Sequence, residues 1–81
     1  MADDAFVDSH KFRRQVWQEL VSGESDPERI AKKQRLMQRA VDKALDDLEE
    51  HGLVAENDDG YELTDEGEAY EADRQERERS T

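Results

Sequence analysis

Between Glu28 and Leu45 the chain gathers six basic residues, Arg29, Lys32, Lys33, Arg35, Arg39 and Lys43, against two acids, Glu28 and Asp42. That segment carries a balance of +4 in a polypeptide of net charge −11, which leaves −15 for everything else. Cations segregated in this way suit contact with a polyanion. A guanidinium pairs with O6 and N7 of guanine, and a glutamine amide with N6 and N7 of adenine. Arg35, Gln38 and Arg39, at the start of the long helix read below as the third, are the candidate base readers. Arg29, Lys32, Lys33 and Lys43 would meet phosphates and set position, not sequence. The competing expectation is that these cations neutralise neighbouring acids, in pairs such as Arg39 with Asp42 or Lys43 with Asp46 or Asp47.

Other chemistry is poorly supplied. His10 and His51 are the only histidines, they lie far apart, and there is no cysteine, so the spacing of a metal site is missing. His51 is better placed beside the carbonyls of a helix end. The carboxylates show no convergence, and a small fold cannot easily shield a catalytic pocket. Neither a glycine-rich phosphate loop nor a nucleophile elbow occurs. No catalytic residue, metal or cofactor is expected, no small-molecule ligand is evident, and the chain does not read as an enzyme.

Its 81 residues suffice for one small domain with a modest core. At 43% charged and 33% hydrophobic the composition lies near the boundary with disorder, but the apolar residues recur with helical period, which implies a fold. Asp and Glu are spread over every segment, and lysine is scarcer than arginine, four against eight. Such a surface fits a salt-loving, archaeal host, where screening offsets the self-repulsion that would loosen the fold at low ionic strength. The other reading of the acid excess is a nucleic-acid mimic or a partner for a basic protein. The opening MADDAFVDSH lacks a basic flank and an apolar run, and no stretch reaches the length of a membrane span, so a cytoplasmic location is expected.

The segment that must position the cations runs from Ile30 to Val54. Met37, Val41, Ala44 and Leu48 share one stripe, flanked by Ala40 and Leu45, which predicts a helix from about Leu36 to His51. Its outer face is cationic at the leading end and anionic beyond, at Asp46, Asp47, Glu49 and Glu50. Before it, Ser9 or Asp8 is expected to cap a first helix that buries Phe12, Val16, Trp17 and Leu20 and stops at Gly23. Asp26-Pro27-Glu28 starts a second helix to about Gln34, with Ile30 and Ala31 inward. After the long helix, Gly52 with Leu53 against Leu48 predicts a Schellman ending. LVAENDDGYEL then reads as a hairpin in which Asp59-Gly60 supplies positive φ and Tyr61 and Leu63 face inward. Thr64 caps a last helix whose Ala69 and Tyr70 pack back on the domain. The expected organisation is a flexible N-terminus over 1–8, in which Phe6 and Val7 are apolar enough to tuck against the core, a domain over 9–72 and a charged extension over 73–81.

In this order the residues resemble a winged helix-turn-helix domain of the MarR/PadR type, and are similar to small haloarchaeal phage-repressor-like regulators. The resemblance covers roughly residues 10 to 72. It rests on Ile30-Ala31, on Val41, Leu45 and Leu48, on Glu49-Glu50-His51-Gly52-Leu53-Val54, and on Gly60-Tyr61-Glu62-Leu63-Thr64-Asp65-Glu66-Gly67. It implies a mainly α fold with a small β-hairpin: three helices, a two-stranded wing and a C-terminal helix. It also implies a transcriptional regulator that binds double-stranded DNA, with the third helix in the major groove and the wing on flanking backbone or minor groove. Many such regulators act as dimers, and a homodimer through the first and last helices would use Phe6, Trp17 or Tyr70. Gln34 and Arg35 stand where the family has an apolar residue and a glycine, and Met37 stands where a Ser or Thr cap is common. Glu56, Asp58, Asp59 and Glu62 make the wing anionic, which sets it against phosphate unless cations intervene. The alternative is a winged-helix module that binds protein and no DNA.

Overall fold

The computed structural model describes residues 6, 7 and 9–79, with side chains as far as Arg77. Four helices and one antiparallel hairpin follow in the order α1 (Lys11–Val21), α2 (Pro27–Gln34), α3 (Gln38–Glu50), β1 (Val54–Asn57), β2 (Gly60–Leu63) and α4 (Asp65–Arg79). Helices α1, α2 and α3 pack on one another, β2 lies along α1, β1 along α3, and α4 against β2. Their shared core is closed by Val7, Val16, Trp17, Ile30, Val41, Leu45, Leu48 and Val54, each fully buried. None of the described helices is long and apolar enough to cross a membrane.

Local sequence explains most boundaries. Asp26 accepts a hydrogen bond from the Glu28 N–H, and Pro27 fills the first helical position, where a missing N–H costs nothing. Helix α3 closes with the full Schellman pair, Leu53 N–H to Leu48 O and Gly52 N–H to Glu49 O. Thr64 Oγ1 accepts from the Gly67 N–H at the start of α4, whose first turn carries Asp65, Glu66 and Glu68. Toward the far end, the residues beyond Ala72 continue as helix to Arg79.

Several expectations are corrected by tertiary contacts. The residue before α1 is His10, with no side-chain cap, while Ser9 donates its hydroxyl to Phe6 O. Asp8, the other candidate cap, and residues 1–5 lie outside the described residues. Phe6 and Val7 are buried, so the folded body begins ahead of residue 9. On α1 the inward stripe is Arg13, Val16, Trp17 and Leu20, which leaves Phe12 at the surface. Helix α3 starts two residues later than expected. Met37, with φ −68° and ψ 142°, is extended, so the helical stripe does not reach it and its side chain is 72% exposed. Ala69 also faces outward. Phe6, Trp17 and Tyr70 lie in the core of the single chain.

The hairpin pairs Val54 with Leu63 and Asn57 with Gly60, leaving Asp58 and Asp59 as the loop. Only Gly60 has positive φ there, +135°; Asp59 does not, because its N–H is held by the Asn57 side chain in a local turn. The strand β2 is fixed to the start of α2 by a hydrogen bond from Tyr61 N–H to Ser25 O. A Cβ at Gly60 would collide with that same Ser25 oxygen. Gly60→Ala should therefore lower stability by about 2–4 kcal/mol, from positive φ and the forced separation together. Urea unfolding measures this, and a loss below about 1 kcal/mol would mean that the hairpin is not seated on Ser25.

Candidate nucleic-acid interface

The turn between α2 and α3 is what sets the cations. Helix α2 ends with Arg35 N–H donating to Lys32 O and Leu36 N–H to Ala31 O, and Arg35 itself adopts φ 55° and ψ 44°. Among the described residues it is the one non-glycine with positive φ. A left-handed conformation costs an L-residue roughly 1–2 kcal/mol. An arginine thus occupies the place where glycine would be unstrained, and its side chain projects into solvent while Leu36 packs inward against the core.

The seven candidate contact residues divide into two groups. Lys33 Nζ lies 3.1 Å from Glu24 and 3.7 Å from Glu19, Arg29 Nε 4.0 Å from Glu24, and Lys43 Nζ 3.2 Å from Asp47. Gln38 donates its amide to Asp42 at 3.1 Å. Those four side chains are engaged within the chain. Lys32, Arg35 and Arg39 are exposed and form no ion pair among the described residues. The competing expectation therefore holds for Lys43 with Asp47 but not for Arg39 with Asp42, since Asp42 takes the Gln38 amide instead.

Carboxylates neighbouring these cations show the pairing in their titration. Burial raises the Asp47 pKa, but hydrogen bonds from Arg13 and Lys43 outweigh it and hold the carboxyl below its ordinary 3.8. The Lys33 ammonium, then the Asp26 N–H, lower Glu24 below its ordinary 4.5. The opposite trend marks Tyr61 on β2. Its hydroxyl is pushed up, first by burial and then by Glu56, Glu49, Asp46 and Asp42. The positive end of α3 thus passes within two turns into exposed acids at Asp46, Glu49 and Glu50.

Sequence reasoning missed two further features. An apolar groove of about 340 Å³ runs between α1 and α3, with Phe12, Met37, Ala40 and Ala44 along it and Arg39 and Lys43 at its rim. Arg13 is an inward cation that donates to Phe6 O at 2.7 Å and to Asp47 at 3.1 Å, while its guanidinium lies 4.0 Å from the Phe6 ring centre. Phe6 in turn stacks on His51, whose Nδ1 is 3.1 Å from Asp47 O at the end of α3. The exposed Met37 had one readable signal, its position ahead of a helix where a polar cap is preferred. No signal distinguished Arg13 from Arg14.

Two outcomes follow from this geometry. Arg35→Gly should raise stability by about 0.5–1 kcal/mol, since glycine relieves the left-handed strain at some entropic cost; a lower urea midpoint would show that the arginine is held by unrecognised contacts. Both lowered carboxyls contribute stability that is complete above their unfolded values and is lost as pH falls through the folded ones. Unfolding followed from pH 7 to pH 2 should therefore show weakening that begins below about pH 4.5. Asp47→Asn should flatten that slope and cost about 1–2 kcal/mol at pH 7, and an unchanged slope would remove Asp47 from the account.

Compared with protein families, with curated proteins and with solved structures, the chain has no match.

Proposed function

We propose that the chain is a winged helix-turn-helix protein that binds double-stranded DNA in a sequence-specific manner and regulates transcription. The observation that carries the reading is the strained, solvent-facing Arg35, four residues ahead of an exposed Arg39, neither side chain forming an ion pair among the described residues in a chain of net charge −11. Twenty-three acids are present to neutralise twelve Lys and Arg, so cations left unpaired at a left-handed turn stand out. The leading end of α3 enters the major groove tip first, Arg35 and Arg39 read guanine, and Lys32 meets phosphate. Gln38 joins the reading by giving up its bond to Asp42. Arg29, Lys33 and Lys43 contribute only where phosphate displaces the carboxylates they hold. The anionic hairpin stays off the backbone or reaches it through bound cations.

A second reading is favoured by one observation, the four carboxylates whose charge raises the Tyr61 hydroxyl. Asp42, Asp46 and Glu49 are exposed on α3 and Glu56 on β1, and together they suit a basic protein partner in place of DNA.

Retention of genomic fragments, followed in KCl from moderate to high, separates the two. Arg35→Ala and Arg39→Ala should each lower selective affinity by roughly tenfold to a hundredfold, as loss of a guanine contact does. Three free cations give a salt slope of magnitude about 3 or less, with cation uptake at the acidic flank reducing it further. Unchanged retention by both variants would remove Arg35 and Arg39 from the reading surface, and no retention by the unaltered protein would leave the protein-partner reading. A slope near 6 would mean that the paired cations also meet phosphate.

A further inference from the structure

Met37 combines two locally unfavourable features. It is the most exposed large apolar side chain among the described residues, and it occupies the cap position of α3, where it offers no hydrogen bond to the helix N–H groups. Ser, Thr, Asp or Asn there would stabilise the helix start by roughly 1 kcal/mol, and the chain uses such caps at α2 and α4. Met37 stands between the two unpaired arginines in sequence. Its side chain joins Ala40 in the groove whose rim includes Arg39. The cationic end of α3 therefore carries an apolar surface continuous with it.

Resting on the DNA reading above, we infer that Met37, with Ala40 beside it, is a specificity residue that recognises the 5-methyl group of thymine next to a guanine read by Arg39. In the major groove the thymine methyl is the one apolar group a base pair presents, and it is contacted by apolar side chains. Side chains at the start of a recognition helix are those that reach base edges. An unbranched, polarizable thioether can adapt to a methyl without a fixed rotamer. Flanking guanidiniums supply the charge complementarity that brings a duplex, and not an apolar peptide, to this surface. The occupant is thus a T-containing step of B-DNA, and the groove behind Met37 gives the side chain room to move as the duplex seats.

The test uses the full chain and a pool of random-sequence duplexes, selected at fixed KCl. Selected duplexes are then synthesised with thymine or with deoxyuridine, which lacks only the methyl, and binding is compared. The swap should weaken the unaltered protein about fourfold per contacted methyl. Met37→Leu should keep that ratio. Met37→Ser should bring it to one while raising the urea midpoint through its better cap, so lost discrimination cannot be ascribed to unfolding. Selected duplexes that bind equally well with either base, or a Met37→Ser protein that keeps the fourfold ratio, would overturn the assignment of Met37 and leave DNA reading in place. A pool from which nothing is enriched would overturn both.

Discussion

The whole arrangement turns on Trp17. Its indole is fully buried where α1 faces α4, it meets the Tyr70 ring edge-on at 5.6 Å, and its Nε1 donates to Glu71 at 2.6 Å. Between Asp65 and Arg79 the apolar residues are only Ala69, Tyr70 and Ala72, and of these Tyr70 alone is buried. Hydrophobic contact by itself gives α4 little hold on the body. The Glu71 carboxylate supplies the rest, because Arg74 and Gln75 also donate to it and leave it satisfied while buried. Tyr70 extends the same junction by accepting from the Val7 N–H, which fixes the chain ahead of α1. A buried carboxylate with several donors holds elements in one arrangement, and losing any partner would leave charge uncompensated.

The same economy governs the surface. With nearly two acids for each Lys or Arg, a cation placed near a helix tends to find a carboxylate, as Lys33 does at Glu24 and Lys43 at Asp47. Exposed pairs of this kind contribute little to stability, at most about 1 kcal/mol each. Their larger effect is to decide which cations remain available. Arg13 is drawn inward to Asp47, whereas Arg35, at the left-handed end of α2, forms no ion pair among the described residues. Pairing within the chain, more than the number of basic residues, limits the charge that a partner would meet.

What could be read in advance was whatever is fixed within a few residues. Asp26-Pro27 starts α2, Gly52-Leu53 ends α3, and alternation at Tyr61 and Leu63 marks β2, because caps, turns and periodicity act over single turns of chain. The burial of Trp17 was legible from its place on the α1 stripe. Long-range events were not: the bond from Trp17 to Glu71, the layer of Arg13, Phe6 and His51, and the seating of Gly60 on Ser25 each join residues distant in sequence. Phe12 and Met37 failed for a related reason. Both satisfy helical spacing, yet the phase of α1 and the start of α3 are set by what packs beneath them. For the contact residues, spacing identified the cationic segment but gave no means of separating Lys32, Arg35 and Arg39 from those already paired.

The attachment at Ser25 also bears on how copies of the chain behave in concentrated solution. It covers the outer edge of β2, while β1 receives no backbone hydrogen bond from any other segment among the described residues. An uncovered strand is a template on which a second chain can add. Glu56 on that strand and the Asp58-Asp59 loop beyond it act as electrostatic gatekeepers against such growth. Their reach shrinks to about 3 Å in molar salt, so there the guard operates only at contact, through the desolvation of a carboxylate that an incoming strand would have to cover.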